Sequence, residues 1–260
     1  NGGDSILYCH NEGEIISSGS NVGGILGNGK QSLTPMVMIG CYNTALITGK
    51  GNIGGVAGRL YEGSELIDCY NTADVVSSAS SDVGGVAGQQ ACRKDYVARM
   101  VRCYNTGNVE AKVCGEIAGV VGNFKTGAND TTAVVTIKRC YNTGNISAPF
   151  SVVGGIGGSL FDDAITIDSC YNTGDIKGLF MVGGIVATLK GPSNQVKNCW
   201  NSGSVTGANR VGGLIGCDNG ENRVYNSYNT GAVATNSQDI SDNSGRETSY
   251  SIGGLAGEGS

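Results

Sequence analysis

The chain has one histidine, one tryptophan and three prolines among its 260 residues, and these scarcities narrow what it can be. A single His10 and no Cys-x-x-Cys pair leave no ligand set for a structural zinc. The His-Glu-x-x-His signature of zinc peptidases is missing, and His10 has no partners that would make it a catalytic base. No run of 18 or more apolar residues occurs, so no segment reads as a membrane-spanning helix. Basic residues number 17 against 22 acidic ones, a formal charge of −5, which offers no basic face to displace counterions from phosphates and excludes nucleic acid. The first residues, Asn1-Gly2-Gly3, include neither an initiator Met nor a charged-then-apolar leader, so a fragment or a mature product is expected.

What is abundant is glycine, 45 residues of it, and the glycines fall in phase. Cys-Tyr-Asn-Thr recurs at Cys41, Cys69, Cys103, Cys140 and Cys170, with degenerate copies starting at Cys9, Cys199 and Ser227. Each copy is followed by a strand such as Val83-Gly84-Gly85-Val86-Ala87-Gly88. Successive cysteines lie between 28 residues (Cys41 to Cys69) and 37 residues (Cys103 to Cys140) apart. Such self-similarity signals a solenoid, in which no unit buries its apolar face alone.

Four apolar columns run through the repeats. One lies three residues before the cysteine (Ile6, Met38, Leu66, Met100, Ile137, Ile167, Val196, Val224) and one lies six after it (Ile15, Ile47, Val75, Val109, Ile146, Ile176, Val205, Val233). The glycine strand supplies the others, exemplified by Ile53 and Val56 or Val83 and Val86. β-Branched residues dominate, and short apolar runs are cut by Gly and Asn, which is strand chemistry. The expected fold is all-β: a parallel β-solenoid of about eight coils, one repeat and about three short strands per coil, stacked at roughly 4.8 Å. A single domain, 1–260, is expected, with repeat cores near 6–27, 38–58, 66–88, 100–122, 137–158, 167–187, 196–216 and 224–257. The Gly-Gly pairs are expected at coil corners, as bulges or positive-φ residues. Asn-Thr-Gly reads as a turn whose Asn tolerates the left-handed region, and Asn43, Asn71, Asn105, Asn142 and Asn172 should stack as an amide ladder, joined by Asn11, Asn201 and Asn229.

The combination of Val-Gly-Gly-Ile-x-Gly with Cys-Tyr-Asn-Thr-Gly-x-Val resembles the GLUG motif, a repeat of bacterial surface proteins and of the non-catalytic part of IgA-specific metallopeptidases. The resemblance covers essentially the whole chain. It implies an extracellular bacterial protein, on the cell surface or secreted, that acts without catalysis as an adhesin-like or stalk module. A non-catalytic accessory region of a secreted metallopeptidase is the alternative, and a β-helical enzyme acting on polysaccharide a second one. No cofactor is expected, and the partner expected is a host glycan or protein.

Seven cysteines share one repeat phase: Cys9, Cys41, Cys69, Cys103, Cys140, Cys170 and Cys199. Stacking at about 4.8 Å is too wide for disulfides, whose Cβ atoms lie about 3.5–4.5 Å apart, so a ladder of small buried thiols is expected. Cys92 and Cys114 flank one coil as candidates for a pair, and Cys217 is also out of phase, all with connectivity open.

The residue after each repeat cysteine is Tyr42, Tyr70, Tyr104, Tyr141, Tyr171, Trp200 or Tyr228, with His10 as the variant in this column. If the stripe faces solvent it is a candidate platform for sugar rings or an apolar partner; if it faces inward it is structural stacking, and strand parity does not decide. The loops before Cys103 and Cys140 concentrate Arg93, Lys94, Arg99, Arg102, Lys125, Lys138 and Arg139, which an anionic glycan or acidic partner would favour but which ordinary surface charge also explains. Asp162 and Asp163 read as solvated loop charge, and the position after the glycine strand is too irregular for required calcium, leaving only an adventitious ion at Asp162, Asp163 or Asp168. The polar insertion 234–250 is expected to cover one end of the stack.

Overall fold

A computed structural model describes residues 4–29, 35–61, 63–79, 81–92, 95–126, 133–161, 164–236 and 251–258. Five parallel sheets, each of eight strands, run the length of the stack, and every rung contributes one strand to each sheet. Rung 3 illustrates the path: Glu65–Ile67 in sheet 1, Tyr70–Asn71 in sheet 2, Val75–Ser77 in sheet 3, Ser81–Gly84 in sheet 4 and Ala87–Cys92 in sheet 5. The chain is therefore a parallel β-solenoid with no helix among the described residues. A rung holds five strands, not the three expected, because most are only two to five residues long and the chain turns between them. Equivalent residues pair from rung to rung, as in Leu66 with Met38 and Met100, or Asn71 with Asn43 and Asn105, with one register shift in sheet 4 where Val152 pairs with Phe180 and Val153 with Val182.

Periodicity located the inward columns, but the interior they form is divided. One apolar compartment holds the column before the cysteine, the cysteines themselves, and Val56, Val86 and their equivalents. It also holds a column that the sequence reading passed over, Leu60, Phe124, Leu160 and Leu189, whose rung 3 member is the buried Gln90. The second compartment joins the Val75 and Val83 columns. Between them stands the asparagine ladder, fully buried from Asn43 to Asn201. Each amide donates from Nδ2 to Oδ1 of the next rung at 2.8 Å and to the carbonyl two residues on, as in Asn105 to Asn142 and Asn105 to Gly107.

The Gly-Gly pairs do sit at a bend, between sheets 4 and 5, but not for the reason expected. No residue of these pairs has positive φ; close approach is what demands glycine. A Cβ on Gly85 would lie 2.2 Å from the Gly119 carbonyl oxygen and 2.3 Å from Cγ of Asn105, so the ladder presses directly on the opposite wall. That contact makes the waist between the compartments. The left-handed corner lies elsewhere, at the residue before each cysteine position: Tyr8, Gly40, Asp68, Arg102, Arg139, Ser169, Asn198 and Asn226, with φ of 50–61°. It supplies the bend between sheets 1 and 2 that broken strand alternation implies, and the ladder asparagines are not left-handed.

Candidate functional site

Sheet 2 displays the aromatic column. Its strands are two residues long, so Asn points to the waist and its neighbour points out. From His10 to Trp200 the rings stack with centroids 4.6–5.0 Å apart and planes within 7° of parallel, and Tyr228 follows at 6.3 Å. The five interior tyrosines and Trp200 are half-buried. Each ring face is thus covered by the next ring, and a sugar ring has no face to lie on along the stripe. What faces solvent is a row of ring edges and phenol hydroxyls at the rung spacing. Burial, followed by the phenols of Tyr141 and Tyr70, pushes the Tyr104 hydroxyl above its ordinary pKa, and burial does the same to Tyr171. The row offers hydrogen-bond donors at the rung spacing.

Behind it, the cysteine ladder is buried from rung 2 to rung 7, and at its far end the hydrogen bond with Cys170 lowers the Cys199 pKa. Cys41, Cys69, Cys103, Cys140, Cys170 and Cys199 are fully buried. Each thiol lies against the carbonyl two residues earlier and a carbonyl of the preceding rung, as Cys103 does with Val101 and Leu66 at 3.6 and 3.4 Å. Ser227 makes the first of these contacts in the last rung. Burial pushes the Cys103, Cys140 and Cys170 thiols well up, away from the reactive thiolate. Of the remaining cysteines, Cys92 and Cys217 are buried, whereas Cys9 and Cys114 are exposed. A thiol reagent at pH 8 should therefore modify two cysteines in the folded protein and all ten in denaturant; rapid labelling of six or more without denaturant would contradict the ladder.

Among the described residues, three side chains of the basic concentration are paired with carboxylates. Arg93 and Lys94 lie outside the described residues, as do Asp162, Asp163 and residues 237–250 of the polar insertion. Arg99 pairs with Glu65 at 2.7 Å, Arg102 with Asp68 at 2.6 Å, and Lys138 with Asp168 at 3.3 Å, each across one rung. The guanidinium of Arg102 holds the Asp68 carboxyl below its usual range. These pairs offset like-sign stacking, and Asp168 is engaged by Lys138, Ser169 and Asn198.

Comparison with family models, with curated proteins and with solved structures finds no match to this chain. The candidate site therefore rests on geometry: an outward tyrosine face on a stiff, repeating support. Among the described residues no group of three or more His, Cys, Asp or Glu side chains converges on a metal-binding point. Sequence reasoning missed the outer notch where sheets 4 and 5 fold together and where Asp82 and Glu116 are brought side by side. The signal for it was polar residues seven apart across the small-residue pair at the bend, Asp82 with Gln89 across Gly84-Gly85 and Glu116 with Asn123 across Ala118-Gly119.

Proposed function

We propose that this chain is a non-enzymatic repeat module of an extracellular bacterial protein, a stiff stalk whose tyrosine face contacts a glycan or protein of the host. The observation that carries the reading is the register of the aromatic strands: sheet 2 continues in step through every rung, so the outward rings form one row. Extracellular placement is supported by the resemblance to GLUG repeats. The row suits a partner with hydrogen-bond acceptors at regular intervals, such as a glycan chain or an extended peptide, which tyrosine edges bind with little loss of side-chain freedom.

The test is a glycan array and a binding assay on host extracellular proteins with Tyr104→Ala/Tyr141→Ala. These rings sit mid-stack, and each loses two stacked neighbours on truncation. Binding is expected to fall at least about ten-fold while the far-UV spectrum is retained, since a few aromatic contacts of about 0.5–1.5 kcal/mol each will not unfold the stack. Undiminished binding by the double variant would remove the tyrosine face from the contact.

A further inference from the structure

Sheets 4 and 5 meet at so sharp a bend that their outer surfaces touch. A Cβ on Gly88 would lie 2.6 Å from the Ile53 nitrogen and 2.8 Å from the Asp82 carbonyl. A narrow notch therefore runs along the outside of the solenoid, and its lining changes from rung to rung. In rung 2 the facing positions hold Asn52 and Arg59, in rung 5 Val152 and Ser159. Only rungs 3 and 4 place a carboxylate on the sheet 4 side and an amide on the sheet 5 side: Asp82 with Gln89, and Glu116 with Asn123.

These four side chains are close together and poorly satisfied. Asp82 pairs in register with Glu116, and Gln89 with Asn123. Asp82 and Gln89 are each 8% exposed and Asn123 is 7% exposed. Nε2 of Gln89 donates to Oδ2 of Asp82 at 2.6 Å, which lays the Gln89 amide against the carboxylate. Yet Oε1 of Gln89 and Oδ1 of Asn123 are buried with no hydrogen-bond partner. A buried acceptor left unpaired costs about 1–3 kcal/mol, and two adjoining carboxylates add repulsion. Six side-chain oxygens, four of them carboxylate, are thus brought onto neighbouring rungs of one notch.

We infer that this notch is a cation site, in which Asp82, Glu116, Gln89 and Asn123 bind calcium through their side-chain oxygens. Carboxylate and amide oxygens without sulfur or imidazole select a hard ion, and calcium accepts six to eight oxygens in irregular arrangements. Magnesium is the poorer fit, because donors fixed at strand spacing do not close into the tight octahedron it requires. Water completes the shell on the open side. The exposed Lys125 acts on Glu116, and the ion competes with it.

Calcium chloride titrated into the full chain at pH 7.0 and physiological ionic strength should show one equivalent bound. Tm should rise with calcium, and magnesium should bind at least about ten-fold more weakly. Glu116→Gln removes the like-charge contact, so the variant should fold, melt higher than the parent without calcium, and lose at least about ten-fold in calcium affinity. Asp82→Asn should lose a similar factor, whereas Asp168→Asn, away from the notch, should lose none. Absence of a calcium-dependent shift in the parent, or an equal shift in Glu116→Gln and Asp82→Asn, overturns the assignment.

Discussion

Gly85→Ala should destabilise the protein by about 3 kcal/mol or more, although it adds a single methyl group. That methyl would stand 2.2 Å from the Gly119 carbonyl and 2.3 Å from Cγ of Asn105. Neither neighbour can step aside, since one is backbone of the adjoining rung and the other is held by hydrogen bonds at 2.7 and 2.8 Å. Overpacking usually costs about 1–3 kcal/mol because side chains adjust; here the waist itself must open, exposing both compartments. In a chain of this size the loss corresponds to a Tm lower by on the order of 10 °C. Gly254 is the control. It occupies the same repeat position in the last rung, where an added Cβ meets nothing within 4 Å, so Gly254→Ala should change stability by no more than about 0.5 kcal/mol. Equal effects at the two sites in paired denaturant melts would show that the waist is not tight.

Asn105→Asp, nearly identical in shape, should cost about 3–5 kcal/mol at neutral pH. Asn105 accepts from Asn71 at 2.8 Å and donates to Asn142 Oδ1 at 2.8 Å and to the Gly107 carbonyl at 2.7 Å. A carboxylate keeps the first contact and turns the other two into oxygens facing a buried negative charge. Burial of that kind shifts a carboxyl upward by as much as about 3–5 units, at 1.36 kcal/mol per unit. With the folded pKa above the unfolded one, the variant is nearest to the parent below about pH 4 and falls behind as pH rises through the folded pKa. Asn229→Asp is the gentler counterpart, since Asn229 is half-buried and passes no bond to a further rung. Urea midpoints between pH 4 and 8 decide the matter; a pH-independent difference from the parent would contradict a buried charge.

The solenoid was legible because its signals are strictly periodic. A cysteine every 28 to 37 residues with valine or isoleucine at fixed offsets leaves one register, and the asparagine and cysteine ladders follow once equivalent residues are stacked. Conformational detail was less legible. Asn and Gly-Gly both suggest positive φ, but that geometry falls to residues as unlike as Tyr8, Asp68 and Arg102, where no residue type advertises it. The divided interior was hidden for a related reason: periodicity tells which side chains point inward, not that a glycine on one wall touches an asparagine on the other. The tyrosine column was visible as a stripe, while face-to-face stacking, which covers the rings, depends on rung spacing and side-chain direction together. Asp82 and Glu116 stand 34 residues apart, and only the register makes them neighbours.

The asparagine ladder also gives the molecule a direction. Every Nδ2 points toward the following rung and every Oδ1 toward the preceding one, from Asn11 through Asn229, so the amide dipoles add along the axis. The rung 1 surface accordingly presents hydrogen-bond acceptors along this line and the rung 8 surface presents donors. A further rung, whatever chain supplies it, is admitted in one polarity only, and two identical surfaces placed against each other would oppose like with like.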